Sequence, residues 1–317
     1  MSKLAISKYN WRDHVITAAD LQQREFPAVS YVVAGIIPEG LTIIAGRPKV
    51  GKSWLALDIA IAVANGGVCL GDRDVRRGHV LYCALEDNHR RLKRRIKKLT
   101  GNGGEWATTL TLATSWRHLD EGGLDDIKEW VNDVTGPCVV ILDTLAGIRG
   151  TDTTNGTYAE DYRAVEELHR WANEHGIAVL VLHHTRKMAA SDPIDTVSGT
   201  LGLSGCADTI MVLATSSQGT SLYVRGRDVE EAEHAITFDK VSCRWSILGD
   251  AKEVRRSDIR NDILNVLREA KEPLSPKAIA DTLKVDRNTI KQRLYQMHES
   301  GEVKKVGSGQ YVHPEAP

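Results

Sequence analysis

The chain has 317 residues, of which 42% are hydrophobic and 26% charged. That is ordinary globular composition with room for about two domains, and it excludes disorder, collagen and a coiled-coil rod as whole-chain readings. No run approaches the ~18–20 apolar residues of a membrane helix, so no membrane partner is expected. The first residues, Met1 to Ala5, lack the apolar core of a secretory signal, and Cys69, Cys83, Cys138, Cys206 and Cys243 are scattered without a CxxC pair; both point to reduced thiols in a cytoplasmic protein. The net charge of -1 speaks against a generally basic nucleic-acid binder. The average conceals an asymmetry, because residues 251–317 carry +3 and the remainder -4.

Taken in chain order, about thirty weakly patterned residues come first. A strand is expected at 41–45, then a glycine-rich turn and a helix over 52–64 that stops at Gly66 and Gly67. Further strands are expected at 79–84, 138–142 and 178–182, and helices at 88–99, 124–134 and 158–174, the last with Val165, Leu168 and Ala172 at helical spacing. From 205 the pattern turns strand-rich, at 209–213, 221–224, 234–238 and 243–247. Alternating strands and helices predict an α/β fold with a mostly parallel twisted sheet, extended by antiparallel hairpins. A boundary is expected at 249–256. Beyond it Ile259, Ile263, Leu264 and Leu267 form one helical face. Ser275 and Pro276 start a second helix as N-cap and first residue, and Asp286 caps a third with Ile290, Leu294 and Met297 inward. Segments 302–306 and 310–313 flank a Gly-Ser-Gly turn. Helix, helix-turn-helix, hairpin is the winged helix-turn-helix plan. The expected division is thus an N-terminal segment 1–30, an α/β domain 31–250 and a small domain 256–317.

Residues 46–53 read Gly46-Arg47-Pro48-Lys49-Val50-Gly51-Lys52-Ser53, a GxxxxGK[ST] P-loop between a strand and a helix. Backbone N–H groups of such a loop converge on phosphate oxygens, helped by the positive end of the helix dipole. Lys52 supplies a point charge to the β- and γ-phosphates, the Ser53 hydroxyl reaches Mg²⁺, and Trp54 borders the nucleotide. A nucleotide's phosphates and Mg²⁺ are therefore expected there.

A P-loop alone does not distinguish a kinase, a GTPase or a motor, so second elements decide. The apolar run from Cys138 ends in Asp143, a Walker B pattern whose carboxylate holds Mg²⁺ through water. The run from Val80 delivers Glu86 at its carboxyl end, where open parallel sheets keep their chemistry, and Glu86 is placed to polarise the attacking water. The neighbouring Asp87 is expected to cap the next helix. The strand at 178–182 runs into His183-His184-Thr185-Arg186-Lys187; a polar residue there senses the γ-phosphate, with His183 and His184 both candidates and His184 preferred.

Together these residues resemble the RecA-like ATPases, in particular the RepA-type branch of plasmid and prophage replicative helicases with its AAA-type domain, over roughly residues 15–248. The matches are the entry Pro38 to Gly46 into the P-loop; Leu85-Glu86-Asp87, where the family's Glu is the catalytic base; Val140 to Thr144; and Leu182 to Lys187 followed by Ser198-Gly199 and Ala207-Asp208. The resemblance implies rings, commonly hexamers, with ATP at subunit interfaces and an arginine from the neighbour completing each site. That role is carried to Arg227, with Arg225 as partner. It also implies that the loop from Met188 to Gly205 lines a central channel and touches single-stranded DNA. Lys49 and Val50 depart from the family's commoner glycine or serine and imply a stiffer, more basic loop.

Seven basic residues between Arg90 and Lys98, with Leu92, Ile96 and Leu99 apolar, read as a solvated helix face rather than a contact. Trp54, Trp130 and Trp171 read as core. In the tail the third helix presents Arg287, Asn288, Thr289, Lys291, Gln292 and Arg293, side chains suited to base edges and phosphate. Lys304 and Lys305 on the hairpin reach the backbone of duplex DNA. The expected function is ATP hydrolysis coupled to DNA, as a helicase motor of a plasmid or prophage. The other readings are a DNA-binding regulator or loader switched by ATP, and, against the Glu86 and His-His features, a small-molecule kinase.

Overall fold

The computed structural model describes residues 10–101, 105–149, 158–185, 192–197, 205–216, 219–270, 272–307 and 309–315. Nine strands form one sheet in the order Trp245–Asp250, Ala232–Phe238, Gly219–Gly226, Thr209–Ser216, Gly40–Gly46, Ala178–His184, Cys138–Asp143, His79–Ala84, Leu110–Ala113. The six from Thr209–Ser216 to Leu110–Ala113 pair in parallel, and the remaining three are antiparallel. This is the fold class expected, a mostly parallel sheet with an antiparallel extension.

The parallel strands read as unbroken apolar runs because both faces are covered. Ile44, Val80, Tyr82, Ala84 and Leu180 face one core; Leu41, Ile43, Leu81, Cys83 and Val181 face the other. Helices Lys52–Asn65 and His89–Thr100 close the first face, the latter through Leu92, Ile96 and Leu99. Helices Gly123–Asp133 and Tyr158–His175 close the second, through Leu124, Ile127, Val165 and Leu168. Lys52–Asn65 is buried around its whole circumference. A second, four-stranded sheet explains this: Ile37–Pro38, Tyr31–Val33, Arg73–Val75 and Gly67–Cys69 bring Val33, Ile37 and Leu70 into the core that the helix shares.

That small sheet and the edge strand Leu110–Ala113 are not anticipated from the sequence. Their strands hold two to four residues, too few for a period of two to register. Residues 10–29 hold a 3₁₀ turn, Trp11–His14, and a short helix, Ala18–Gln22, with no buried residue in the latter.

The expected boundary at 249–256 falls where a strand meets a helix. Strand Trp245–Asp250 passes directly into helix Ala251–Glu269, because Asp250 accepts from the N–H groups of Lys252 and Glu253 and so caps it. Ala251 is buried, and Arg255 pairs with Glu233 at 2.5 Å. Further along the same helix, Ile263 and Leu267 join a separate core with Ile279, Ile290, Leu294, Met297 and Tyr311. That core is built from helices Pro276–Leu283 and Arg287–Glu299 and the hairpin Lys304–Val306 with Gln310–Val312, to which Leu274 bridges through Tyr311. Ser275 and Asp286 cap the two helices as expected. Among the described residues no helix is long and apolar enough to cross a membrane.

Candidate nucleotide site

Gly40–Gly46 lies between Thr209–Ser216 and Ala178–His184, so the loop leaving it emerges at the middle of the sheet's carboxyl edge. A side chain at position 46 would place its Cβ 2.6 Å from the Leu213 carbonyl oxygen, which is why the strand ends in glycine. Gly51 has φ 108°, and a Cβ there would meet the Trp245 ring at 2.9 Å. The Trp245 indole N–H donates to the Gly51 carbonyl at 3.3 Å, bracing the loop from a strand 194 residues away. Lys49 takes φ 66°, a left-handed conformation costing about 1 kcal/mol for a residue with a side chain. Arg47, Pro48 and Lys49 are exposed, while Val50 packs on the core.

Lys52, 4% exposed, turns its ammonium back onto the loop, donating to Gly46 O at 2.7 Å and Arg47 O at 3.1 Å. It also reaches His184 Nδ1 at 3.1 Å. Burial lowers its pKa to about 8, against the pull of Asp143 and Glu86. Because an ammonium only donates, His184 Nδ1 accepts and the ring proton sits on Nε2, which faces Glu86 Oε1 at 3.8 Å. Glu86 is held from the other side by the Thr144 hydroxyl, which donates to the same oxygen at 3.0 Å. Lys52, His184 and Glu86, separated by up to 132 residues, thus form one chain of contacts at the strand ends.

Asp143 is 5% exposed. Its Oδ2 accepts from the Tyr82 hydroxyl at 2.8 Å, and its Oδ1 has no hydrogen-bond partner among the described residues. Burial raises its pKa, opposed by hydrogen bonds from the Ser53 and Tyr82 hydroxyls. A buried carboxylate oxygen without a donor costs about 1–3 kcal/mol or more, and a cation held there with Ser53 would satisfy it. The donor set therefore fits Mg²⁺, a hard ion that takes few carboxylates and keeps its waters.

A cavity of about 620 Å³ opens beside these groups. Ser53, Trp54, Glu86 and Asp143 line one side; Arg91, Arg94, Arg95 and Lys98 line the other. The basic helix is therefore not simply a solvated face. Arg95 lies over the Trp54 ring at 4.6 Å, and Trp54, read as core, is half-buried and shared between core and cavity. Asp87 does not cap the helix: Asn88 does, accepting from Arg91 N at 2.9 Å. Asp87 instead pairs with Arg91 at 2.5 Å and Arg95 at 2.9 Å. Partial burial pushes its carboxyl up, but the hydrogen bonds from Arg91, Asn88 and Arg95 hold it below the usual range.

Arg225 and Arg227 lie at the other end of the sheet. Gly226 pairs with Thr209, which pairs with Thr42, four residues before Gly46, about 13 Å along an extended strand. Arg227 pairs with Asp208 at 3.2 Å, and Arg225 with Glu231 at 2.9 Å and Asp192 at 3.0 Å. Neither reaches its own P-loop. Of the loop 188–205, residues 188–191 and 198–204, including Ser198 and Gly199, lie outside the described residues, as do Arg186 and Lys187. In the tail, Arg287, Asn288, Lys291, Gln292, Lys304 and Lys305 are exposed. Arg293 is half-buried and donates to Gln296 at 2.8 Å. Thr289 is turned inward to the Asp286 cap and is less available than its neighbours. Thr144, Trp245 and the Asp87–Arg95 pair were not singled out. The only signal for Thr144 is its place after the Walker B Asp; Trp245 carries none, since its contact crosses the whole domain.

Residues 9–190 match the model of the AAA domain family. The DNA repair protein RadA of Streptococcus pyogenes serotype M3 is 24% identical over 179 residues, 56% of this chain and 33% of RadA; that of Halalkalibacterium halodurans is 25% identical over 158 residues, 49% and 30% respectively. The chain thus matches about a third of the length of these curated relatives. Among solved structures, the ATPase domain of G40P superposes with TM-score 0.53 at 14% identity, over 75% of this chain and 99% of that one. A DnaB-like replicative helicase, solved for its interactions with primase, gives 0.52 at 13%, over 72% and 66%. At such identities the likeness is one of fold, and it is the fold whose central strand here delivers Gly46 to Ser53 between Glu86, Asp143 and His184. By the family model and that fold together, the chain belongs to the AAA domain family and is a P-loop ATPase of RecA-like architecture.

Proposed function

We propose that this ATPase couples hydrolysis to work on DNA, as a helicase-type motor of the RepA kind from a plasmid or prophage. The observation that carries the hydrolytic part is the Lys52–His184–Glu86 chain of contacts beside a buried Asp143 oxygen that lacks a donor. The 46–53 loop and Trp54 hold the nucleotide, its phosphates on the loop N–H groups and Lys52, its nucleoside toward the cavity under Arg95. Lys52 then exchanges its two loop carbonyls for phosphate oxygens, which is the charge it is free to give. Ser53 and Asp143 would hold Mg²⁺, which would supply charge neutralisation at the phosphates. Glu86, set by Thr144, orients the attacking water and accepts its proton. His184, touching both Lys52 and Glu86, registers whether the γ-phosphate is present. The DNA part is supported by the relatives named above, by the basic tail, and by the exposed face of helix Arg287–Glu299. A ring of copies, hexameric in this reading, brings Arg227 of one subunit to the phosphates of the next.

Glu86→Gln tests the centre of this reading. It keeps the shape and the Thr144 contact but cannot take a proton, so ATP binding is expected within a few-fold of wild type and turnover down on the order of 10² or more. Turnover close to wild type would remove Glu86 from the role of base. Measuring rates with and without single-stranded DNA tests coupling in the same assay.

A further inference from the structure

We propose that Tyr82 is a positioning residue of the metal site: its hydroxyl fixes the rotation of the Asp143 carboxylate so that Oδ2 is engaged and Oδ1 is turned out for the cation. The proposal rests on Asp143 being the metal-holding carboxylate. Tyr82 lies on His79–Ala84, which runs parallel to Cys138–Asp143 with Ala84 opposite Asp143. Its ring is 0% exposed, within the core that also holds Val80 and Ala84. A phenylalanine would fill that space equally well, and a hydroxyl buried there without a partner is unfavourable; packing alone gives no reason for the oxygen. The oxygen has a specific destination. It donates to Asp143 Oδ2 at 2.8 Å, whereas its other neighbour, the Ser53 carbonyl, is at 3.5 Å.

The consequence lies at the second carboxylate oxygen. The terminal torsion of Asp is broad and roughly two-fold, so a strand-end carboxylate left to itself does not present one chosen oxygen. A donor on a ring locked in the core removes that freedom. Oδ2 is taken by the hydroxyl, and Oδ1 remains as the buried oxygen without a partner. Groups that orient a metal-holding residue in this way commonly change metal affinity or activity by 10–100-fold when removed. Tyr82 is wholly buried and acts through Asp143.

The experiment compares Tyr82→Phe, Asp143→Asn and the double variant in the full chain. The readouts are the Mg²⁺ concentration that half-saturates nucleotide binding, nucleotide affinity in EDTA, and the melting temperature in EDTA. Tyr82→Phe is expected to raise the Mg²⁺ half-saturation about tenfold, to leave affinity in EDTA within twofold, and to add nothing further in the Asp143→Asn background. 3-Fluorotyrosine at position 82, which keeps ring and hydroxyl, is expected to stay near wild type and takes over the test if Tyr82→Phe melts below the assay temperature: a tenfold shift with fluorotyrosine then counts against the proposal, near-wild-type behaviour for it. A folded Tyr82→Phe with wild-type Mg²⁺ dependence overturns the proposal. So does an equal shift on top of Asp143→Asn, which would mean that Tyr82 acts elsewhere. If Asp143→Asn itself leaves the Mg²⁺ dependence unchanged, the assignment of Asp143 fails first and the proposal with it.

Discussion

Asp58 sits on the helix that the P-loop starts, five residues past Ser53, yet it faces away from the phosphates into the core, 2% exposed. Its Oδ1 has no hydrogen-bond partner among the described residues, and its ion pair with Arg244 spans 3.4 Å. Burial raises its pKa from 3.8 to about 6, against the pull of Arg244. The folded chain therefore holds this proton more tightly than the unfolded one. The stabilisation from the protonated form is complete below pH 4 and is lost as pH rises through about 6, on the order of 3 kcal/mol in all. Asp58→Asn removes that titration. The melting temperature of wild type relative to Asp58→Asn is expected to fall between pH 5 and pH 7.5, and a difference that stays constant across the window would refute the assignment. At this scale the sequence was most legible where chemistry is contiguous: Gly46 to Ser53 and Asp143 announce themselves. Thr144 holding Glu86 across 58 residues and Trp245 holding Gly51 across 194 do not, because nothing local marks a partner that only folding supplies.

Helices were legible as elements, and what their exposed faces meet was not. In Arg287–Glu299 the 3–4 spacing of Ile290, Leu294 and Met297 identified the inward face, and all three are buried. The outward face carries Asn288, Lys291, Gln292 and also Tyr295, 62% exposed. In His89–Thr100 the same logic found Leu92, Ile96 and Leu99, but it assigned the basic residues to solvent when four of them border the cavity beside Ser53 and Asp143. Periodicity reports burial within an element and says nothing of what lies opposite. The outward face of Arg287–Glu299 is testable by charge. If it lies against duplex DNA, Lys291→Ala and Lys304→Ala each release one phosphate contact. Each should then weaken binding uniformly across sequences and reduce the slope of log affinity against log salt by about 1. Slopes identical to wild type would take both lysines off the DNA.

For the whole molecule, the strand pairing decides how sites communicate. The order of nine strands could not be read from composition, since parallel neighbours are brought together by crossovers of differing length. Strand Trp245–Asp250 continues straight into helix Ala251–Glu269. The consequence is mechanical: Trp245 touches Gly51, Arg244 reaches Asp58 and the Leu99 carbonyl at 3.1 Å, and the same strand runs straight into the helix that enters the tail's core. The sheet separates Arg227 from its own P-loop, so if Arg227 acts in hydrolysis, as proposed, it acts on a neighbour and first leaves Asp208. Mixing variants tests that proposal. Arg227→Ala is expected to lower turnover on the order of 10³ while retaining nucleotide binding, and Lys52→Ala to lose nucleotide binding while still presenting Arg227. Neither is active alone. Mixed at equal concentration and allowed to exchange subunits, they are expected to recover activity, because some interfaces pair an intact P-loop with an intact arginine. Dilution should abolish that recovery and lower the wild-type specific rate in parallel. Arg227→Ala with undiminished turnover, or a mixture no more active than its components, would assign the arginine to the Asp208 ion pair alone.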